Sequence, residues 1–264
     1  MVVDVRRTLP ALMLGAASIA SAGCRSRKAA PPAEAVKVAA AADLAFAFPE
    51  VGALYEKTTG ERVVFSFGST GLLERQIAEG APYDAFASAN ASFADDAVNS
   101  GACLADSKAS YATGRIVLLA GAGAATAPVT LADLADARFV KIAIANPEHA
   151  PYGRAAKQAL ERAGVWDRVA SKIVYGENVQ QTLEFAQSGN ADAAIVALSL
   201  ATVLPGPPDG SARWTAIPDD LHDRIDQVLV ACSHGRAGPE AGRRFIAFVS
   251  SDAGRGILRR YGFL

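Results

Sequence analysis

The chain has 264 residues, of which 51% are hydrophobic and 20% are charged, and its formal net charge at pH 7 is −1. No patch or run of basic residues stands out along it, which argues against nucleic acid as a partner. Beyond an N-terminal leader, about 230 residues remain, enough to bury a core as one large α/β domain or as two lobes.

The N-terminus has the pattern of a secretory signal in residues 1–23. Arg6 and Arg7 precede the apolar run 9–20, and small residues follow this run up to Cys24. The apolar run is too short to cross a membrane as a helix. Cys24 after small residues resembles the lipobox of bacterial lipoproteins, so we expect its acylation. Plain cleavage just before it is the alternative.

Residues 24–35 are basic and then rich in Ala and Pro, which predicts a flexible tether between this anchor and a folded domain. We therefore expect an exported protein, held at a membrane if Cys24 is lipidated. Export permits a disulfide between Cys103 and Cys232. Two cysteines without a spacing motif leave that question open, and Cys232 alone fits a small buried hydrophobic residue.

Strand-like apolar runs alternate with helical patterns along the rest of the chain, which favours an α/β fold with mostly parallel strands. The first half predicts strand 36–41, a helix from Asp43 to just before Gly60, strand 63–67, a helix after the turn 68–71, strand 83–88, helix 93–100 and strand 116–120. The second half predicts helix 131–134, strand 141–144, helix 153–163, strand 173–175, helix 179–188, strand 193–196, strand 225–231 and helices 240–249 and 252–260.

Two such series, with a late strand and two helices left over, predict two lobes joined by two extended crossings. We assign residues 36–116 and 228–264 to lobe 1 and residues 117–227 to lobe 2. The expected crossings are 116–120 and 227–231. A single continuous sheet is the alternative.

No catalytic constellation stands out in the sequence. His149, His222 and His234 lack the spacing of metal ligands. The chain has no P-loop, no Gly-x-Ser-x-Gly elbow and no Gly-x-Gly-x-x-Gly after a strand. We therefore predict that the protein is not an enzyme, that it has no cofactor and that its side chains coordinate no metal ion directly.

What recurs is a strand end followed at once by a helix start with small or polar residues. Four such junctions lie at residues 41–44, 68–71, 146–153 and 176–179. In open α/β sheets, ligands bind beyond the carboxyl ends of the strands. The first N–H groups of a helix lack intrahelical partners and carry partial positive charge. Each junction alone fits an ordinary capped helix, but four together predict a cleft that surrounds a small anion.

Six segments carry a resemblance to a known family: VAAAADL at 38–44, FSFGSTG at 65–71, QIAEGAPYD at 76–84, IANPEHAPYG at 144–153, GENV at 176–179 and RYGF at 260–263. In this order they resemble the periplasmic molybdate-binding proteins of ABC importers, over residues 36–264. The resemblance implies the two-lobed type II periplasmic-binding-protein fold. Each lobe is then a mostly parallel sheet flanked by helices, with the ligand cleft between the lobes.

The resemblance also implies a function. A monomer facing the periplasm would capture molybdate or tungstate and deliver it to an ABC permease. The alternative is a receptor for another tetrahedral oxyanion, such as sulfate or phosphate. An enzyme on the same fold is a more distant alternative, and neither Cys103 nor Cys232 lies at a strand-end motif that would favour it.

The family's ligand positions can be carried over residue by residue. Thr70 matches a hydroxyl donor at the second helix start, and Val179 matches a residue that donates its backbone N–H. Tyr152 occupies a position that supplies a phenolic hydroxyl in some members. The other residues expected around the anion are Ser69, as a ligand or a supporting cap, with Ala42 and Asn178 as second choices.

Asp43 departs from the family pattern, because it falls where members usually have Ser or, in some, Asn. An ionised carboxylate beside a dianion costs several kcal/mol at an effective dielectric near 20. We expect Asp43 to turn towards the N–H groups of its own helix, leaving main-chain donors for the ligand. Alternatively, it is protonated and donates to the anion, or the ligand is not molybdate.

Overall fold

The structure is a computed structural model that describes residues 34–122, 128–206 and 213–264. The predicted leader and Cys24 lie outside the described residues. Those that are described belong to one compact unit, Ala33–Leu264. None of its described helices combines the length and the apolar character needed to cross a membrane.

The strands are β1 (Val36–Ala41), β2 (Val63–Gly68), β3 (Ala85–Ser88), β4 (Ala109–Gly114), β5 (Ile116–Ala120), β6 (Ile142–Ala145), β7 (Ile173–Gly176), β8 (Ala193–Ala197), β9 (Trp214–Ala216) and β10 (Ile225–Ala231). The α-helices are α1 (Ala47–Thr59), α2 (Thr70–Ala78), α3 (Ala91–Asn99), α4 (Pro151–Arg162), α5 (Trp166–Val169), α6 (Val179–Gln187), α7 (Leu198–Ala201), α8 (Pro239–Ser250) and α9 (Asp252–Arg260). Short 3-10 turns cover Ala42–Leu44, Ala105–Ser107, Leu131–Ala135, Ala170–Lys172 and Asp219–Leu221.

The strands form two five-stranded sheets, in the orders β2-β1-β3-β10-β4 and β7-β6-β8-β5-β9. In the first sheet β1 pairs parallel with β2 and β3, whereas β10 runs antiparallel between β3 and β4. In the second, β6 pairs parallel with β7 and β8, whereas β5 runs antiparallel between β8 and β9. The predicted two-lobed α/β class is confirmed, but both sheets are mixed rather than mostly parallel.

The chain changes sheet twice within the described residues. Arg115 alone separates β4 in the first sheet from β5 in the second, and residues 217–224 lead back from β9 to β10. The segments predicted as crossings are therefore sheet strands, since β5 and β10 pair on both sides. The lobe limits derived from the sequence stay a prediction.

The helix predicted to begin at Asp43 begins later. Ala42–Leu44 forms a 3-10 turn, and α1 starts at Ala47. This start puts Pro49 in the first turn of α1, where a missing N–H costs little, whereas a helix from Asp43 would place it in the interior. The helix ends as predicted at Gly60, whose φ of +74° suits glycine.

Cys103 and Cys232 form a disulfide that the sequence left open. Both residues are buried, at 4% and 1% exposure, and they face each other as an isolated antiparallel bridge. The bond joins the segment after α3 to the end of β10. It therefore ties together parts of the first lobe that are 129 residues apart in sequence.

Candidate functional site

The carboxyl ends of β1, β2, β6 and β7 meet around one cavity between the two sheets. Its walls are formed by Ala41, Ala42, Asp43, Gly68, Ser69, Thr70, Ala89, Ala150, Pro151, Tyr152, Asn178 and Val179. The structure thus brings together all seven residues that the sequence predicts around an anion. The cavity volume is about 10 Å³, which is about the space that one water molecule needs. A larger ligand requires the walls to move.

Two helices begin at this cavity with buried residues. Thr70 is the first residue of α2 and Val179 is the first residue of α6, and they are 1% and 3% exposed. At such positions the backbone N–H has no partner inside its helix, and the helix dipole adds partial positive charge. The α4 start contributes Tyr152 directly after Pro151. The cavity is therefore lined by helix N-termini from both lobes.

The hydroxyl group of Thr70 is placed to donate into this cavity. Its Oγ1 accepts a hydrogen bond from the backbone N–H of Ala89 at 3.3 Å. A hydroxyl that accepts in this way still has its own proton to donate. Thr70 can therefore supply both an N–H and an O–H donor.

Ser69 makes no capping hydrogen bond to α2, so the supporting-cap role is not what the structure shows. Its hydroxyl instead donates to the backbone carbonyl of His149 at 2.8 Å and lies 2.8 Å from the Nδ1 atom of the same residue. The N–H of Gly71 donates to that carbonyl at 2.9 Å. The start of α2 is thus bonded directly to the segment that precedes α4 in the other lobe.

Ala42 and Asn178, the second choices for the anion site, offer backbone groups to a ligand. The side-chain oxygen of Asn178 caps α6 by accepting from the N–H groups of Gln180 and Gln181, each at 3.0 Å. Ala42 lies in the 3-10 turn after β1 and has no polar side chain. A ligand in the cavity would meet the backbone of these residues.

Asp43 lies in a buried hydrogen-bond network that joins both lobes. Its Oδ2 atom accepts from the hydroxyl of Tyr152 at 2.9 Å and from Nε2 of Gln227 at 2.8 Å. The hydroxyl of Tyr111 donates to Oε1 of Gln227 at 2.8 Å. The hydroxyl of Ser199 donates to the backbone carbonyl of Asp43, also at 2.8 Å. These contacts fix the carboxyl group in one orientation.

The capping account of Asp43 is wrong, because its carboxyl group accepts hydrogen bonds from the side chains of Tyr152 and Gln227 and from no helix N–H among the described residues. Burial raises the pKa of Asp43 to about 7, against the opposing effect of the hydrogen bonds from Tyr152 and Gln227. The protonated account therefore fits this environment. The other carboxyl oxygen, Oδ1, is buried and has no partner within the described part of the chain.

No lysine or arginine is among the described residues that line the cavity. An anion there would be held by N–H and O–H donors and helix dipoles. An ionised Asp43 would oppose it, at about 4 kcal/mol for each pair of unit charges about 4 Å apart at an effective dielectric of about 20. The site therefore suits an anion only if Asp43 is neutral.

Sequence reasoning missed the partners of Asp43. Gln227 directly precedes the apolar residues 228–231 of β10 and is fully buried, as expected of a side chain that belongs to a hydrogen-bond network. Tyr111 and Ser199 gave no comparable signal. The sequence placed His149 in the junction 146–153 without a role of its own, whereas in the structure its backbone carbonyl bonds to the start of α2.

The described residues contain no group of three or more His, Cys, Asp or Glu side chains placed to hold a metal ion. The two lobes, the cleft and the convergent helix starts define a solute-binding architecture. Residues 36–264 match the family of bacterial extracellular solute-binding proteins, and the chain belongs to this family.

Within this family, the chain is similar to named molybdate-binding proteins. The molybdate-binding protein ModA of Rhodobacter capsulatus is 35% identical over 235 residues, which are 88% of this chain and 90% of that protein. ModA of Azotobacter vinelandii is 32% identical over 228 residues, covering 86% and 89%. The structure of the Azotobacter vinelandii periplasmic molybdate-binding protein superposes with a TM-score of 0.78 at 28% identity. That superposition covers 87% of this chain and 98% of the other.

Proposed function

We propose that this protein binds molybdate or tungstate outside the cytoplasm and delivers it to the permease of an ABC importer. It acts by binding and release, with no chemical step and no cofactor. The observation that carries the proposal is the cavity in which helix starts from both lobes converge, with no lysine or arginine among the described residues of its wall. The two ModA relatives support the choice of molybdate.

The donors suit a fully deprotonated tetrahedral oxyanion. Thr70 supplies a hydroxyl, and Thr70 and Val179 supply N–H groups at helix starts. Such donors pair with oxygen lone pairs and cannot pair with the hydrogen of a protonated oxygen. Selection of molybdate over sulfate then depends on cavity size, because the two anions carry the same charge and molybdate is larger.

Capture and release follow from movement of one lobe relative to the other. One lobe binds the anion first, and closure brings in the donors of the second lobe and excludes water. Tyr152 and His149 in the second lobe bond to Asp43 and Ser69 in the first, so these contacts stabilise the closed state. Opening requires that they break.

The setting of the protein is part of the proposal. The leader at 1–23 exports the chain, acylated Cys24 anchors it, and residues 24–35 tether the domain. The domain then works as a monomer in the periplasm. The proposed lobe limits are those predicted from the sequence, 36–116 with 228–264 and 117–227, with the difference that Ile116 pairs in the second sheet and residues 225–227 pair in the first.

Isothermal titration of the purified protein with molybdate, tungstate, sulfate and phosphate tests the proposal. We expect micromolar or tighter binding of the first two only. A response to phosphate or sulfate together with a silent molybdate titration would overturn the proposal.

Variants at Thr70 test the site itself. Thr70→Val removes the hydroxyl at nearly constant shape, so we expect about five-fold weaker molybdate binding, since one hydrogen bond contributes about 1 kcal/mol. Thr70→Ser retains the hydroxyl and the affinity. Thr58→Val, at an exposed position of α1, is the matched control. Equal loss in the Thr70→Val and Thr58→Val proteins would rule out a role for the Thr70 hydroxyl.

A further inference from the structure

One carboxyl oxygen of Asp43 is buried without a hydrogen-bond partner in the described part of the chain, which indicates that it pairs with a ligand. The residue is 1% exposed, and its Oδ1 atom is buried with no hydrogen-bond partner among the described residues. Leaving such an atom unpaired destabilises the folded state. Asp43 forms part of the cavity wall. A ligand bound in that cavity can supply the missing partner of Oδ1.

The directions of the hydrogen bonds decide which oxygen carries a proton. Tyr111 donates to Oε1 of Gln227, so the amide nitrogen of Gln227 faces Asp43 and the hydroxyl of Tyr152. Because the Tyr152 hydroxyl accepts from that nitrogen, its own proton goes to Oδ2 of Asp43. Oδ2 thus accepts twice and has no proton. Any proton on Asp43 lies on Oδ1 and is free to be donated.

The groups around Asp43 offer no positive charge that would hold it ionised. The pKa values of Tyr111 on β4 and Tyr152 on α4 are raised well above 10, mainly by burial, so both are neutral donors. Among the elements that contact the turn of Asp43, β2 and α7 carry no titratable side chain, while Glu184 on α6 and the preceding Glu177 are exposed. Asp226 on β10 is in a surface ion pair.

We propose that Asp43 binds the tetrahedral oxyanion as a neutral carboxylic acid, donating the proton on Oδ1 to a ligand oxygen. This inference rests on the proposed function of the cavity. Capture of a dianion by a site whose Asp43 is ionised then takes up one proton from solvent, which comes to lie between Oδ1 and the anion. Burial raises the pKa of Asp43 to about 7, so this proton is available near neutral pH.

The affinity for a dianion therefore depends on pH in a defined way. Below the pKa of Asp43 the site is already neutral, and the affinity is constant. Above it each pH unit lowers the neutral fraction ten-fold, so the dissociation constant rises about ten-fold per unit. Asp43→Asn removes this dependence, because the amide oxygen can accept from Tyr152 and Gln227 while the amide N–H donates to the anion.

The test is isothermal titration of the wild-type and Asp43→Asn proteins with molybdate, from about pH 6 to about pH 9, in buffers of different ionisation enthalpy. For the wild type we expect about ten-fold weaker binding per unit above about pH 7 and uptake of close to one proton per anion at the alkaline end. For the variant we expect constant affinity and no proton uptake. Glu79→Gln, at an exposed position after α2, should behave as the wild type.

The outcomes separate the two proposals. Molybdate binding by the wild type that is independent of pH and takes up no proton would overturn this inference and leave the proposed function intact. Failure of every protein to bind molybdate at any pH would overturn the proposed function and this inference with it. The proton count is measured on the wild type, so the decision does not depend on how well the variant folds.

Discussion

The hydroxyl of Tyr152 donates to Oδ2 of Asp43 at 2.9 Å, and this bond spans the cleft between the two sheets. Tyr152 follows β6 of the second sheet, whereas Asp43 follows β1 of the first. The bond has two effects. It connects the two lobes, and it lowers the pKa of Asp43 against the larger effect of burial.

Tyr152→Phe should separate these two effects. At about pH 5.5, where Asp43 is neutral in both proteins, we expect about five-fold weaker molybdate binding, because a bond of about 1 kcal/mol between the lobes is lost. The midpoint of the pH dependence should move up, because the hydrogen bond from Tyr152 lowers the pKa of Asp43. Titrations across pH measure both values.

The matched control for this variant is Tyr175→Phe, at a residue of β7 that is 50% exposed. It should change neither the affinity nor the midpoint. An unchanged affinity and an unchanged midpoint in Tyr152→Phe would contradict the role of this hydroxyl.

Gly114→Ala should weaken molybdate binding as Tyr152→Phe does, although it replaces neither Tyr152 nor Asp43. A Cβ atom at Gly114 would collide with the Tyr152 hydroxyl and lie 3.1 Å from Nε2 of Gln227. The tyrosine must then move away from Asp43. We expect weaker molybdate binding, by about five-fold, and little further loss when Gly114→Ala is combined with Tyr152→Phe, since both remove the same contact.

Gly256→Ala is the control for this glycine, because a Cβ atom there meets no atom within 4 Å. It should bind molybdate as the wild type does. Full additivity of the Gly114→Ala and Tyr152→Phe losses would show that Gly114 acts by some other route.

Local pattern was sufficient to predict where the strands of the site end. Apolar runs and small polar residues at the following helix starts placed Thr70 and Val179 at the cavity. The strand β4, Ala109–Gly114, was missed because its small and polar residues do not alternate with apolar ones. It is a strand because β10 pairs with it, and such long-range pairing is not encoded in local periodicity.

The orientation of Asp43 depends on the same kind of long-range contact. Its partners Tyr152 and Gln227 are 109 and 184 residues away in the sequence. A local pattern at residues 41–44 predicts a helix cap, because it contains only the nearest N–H groups. In the structure, side chains from the other lobe and from β10 take the place of these N–H groups as donors to Asp43. The carboxyl group is therefore held at the cavity and does not cap a helix.

Asp43 should also make the stability of the protein depend on pH. Its pKa is raised from 3.8 to about 7 in the folded state. Between these values the folded protein keeps a proton that the unfolded chain has lost, so the free energy of unfolding falls as pH rises through this window. The Asp43→Asn protein lacks this contribution.

We therefore expect the stability advantage of Asp43→Asn over the wild type to grow by about 3 kcal/mol between about pH 5 and about pH 8. Urea denaturation of both proteins without added anion measures it. A difference that stays the same across this range would mean that the folded protein does not hold a proton on Asp43.

The disulfide between Cys103 and Cys232 should support stability without affecting the anion. It closes a loop between residues 129 apart in sequence, and native disulfides of this kind contribute about 2–5 kcal/mol, mainly by restricting the unfolded chain. We expect reductant, or the paired substitution Cys103→Ala with Cys232→Ala, to lower the free energy of unfolding by that amount. Molybdate affinity should stay constant, because neither cysteine lines the cavity.

The paired variant is its own control for the reductant. Its denaturation midpoint should be the same with and without reductant, whereas that of the wild type should fall when the bond is reduced. Both are measured by chemical denaturation, and molybdate titrations of the same samples test the separation of stability from binding. A wild-type midpoint that does not respond to complete reduction would show that the bond adds nothing to stability. A lower molybdate affinity in the paired variant would show that the disulfide also supports the binding site.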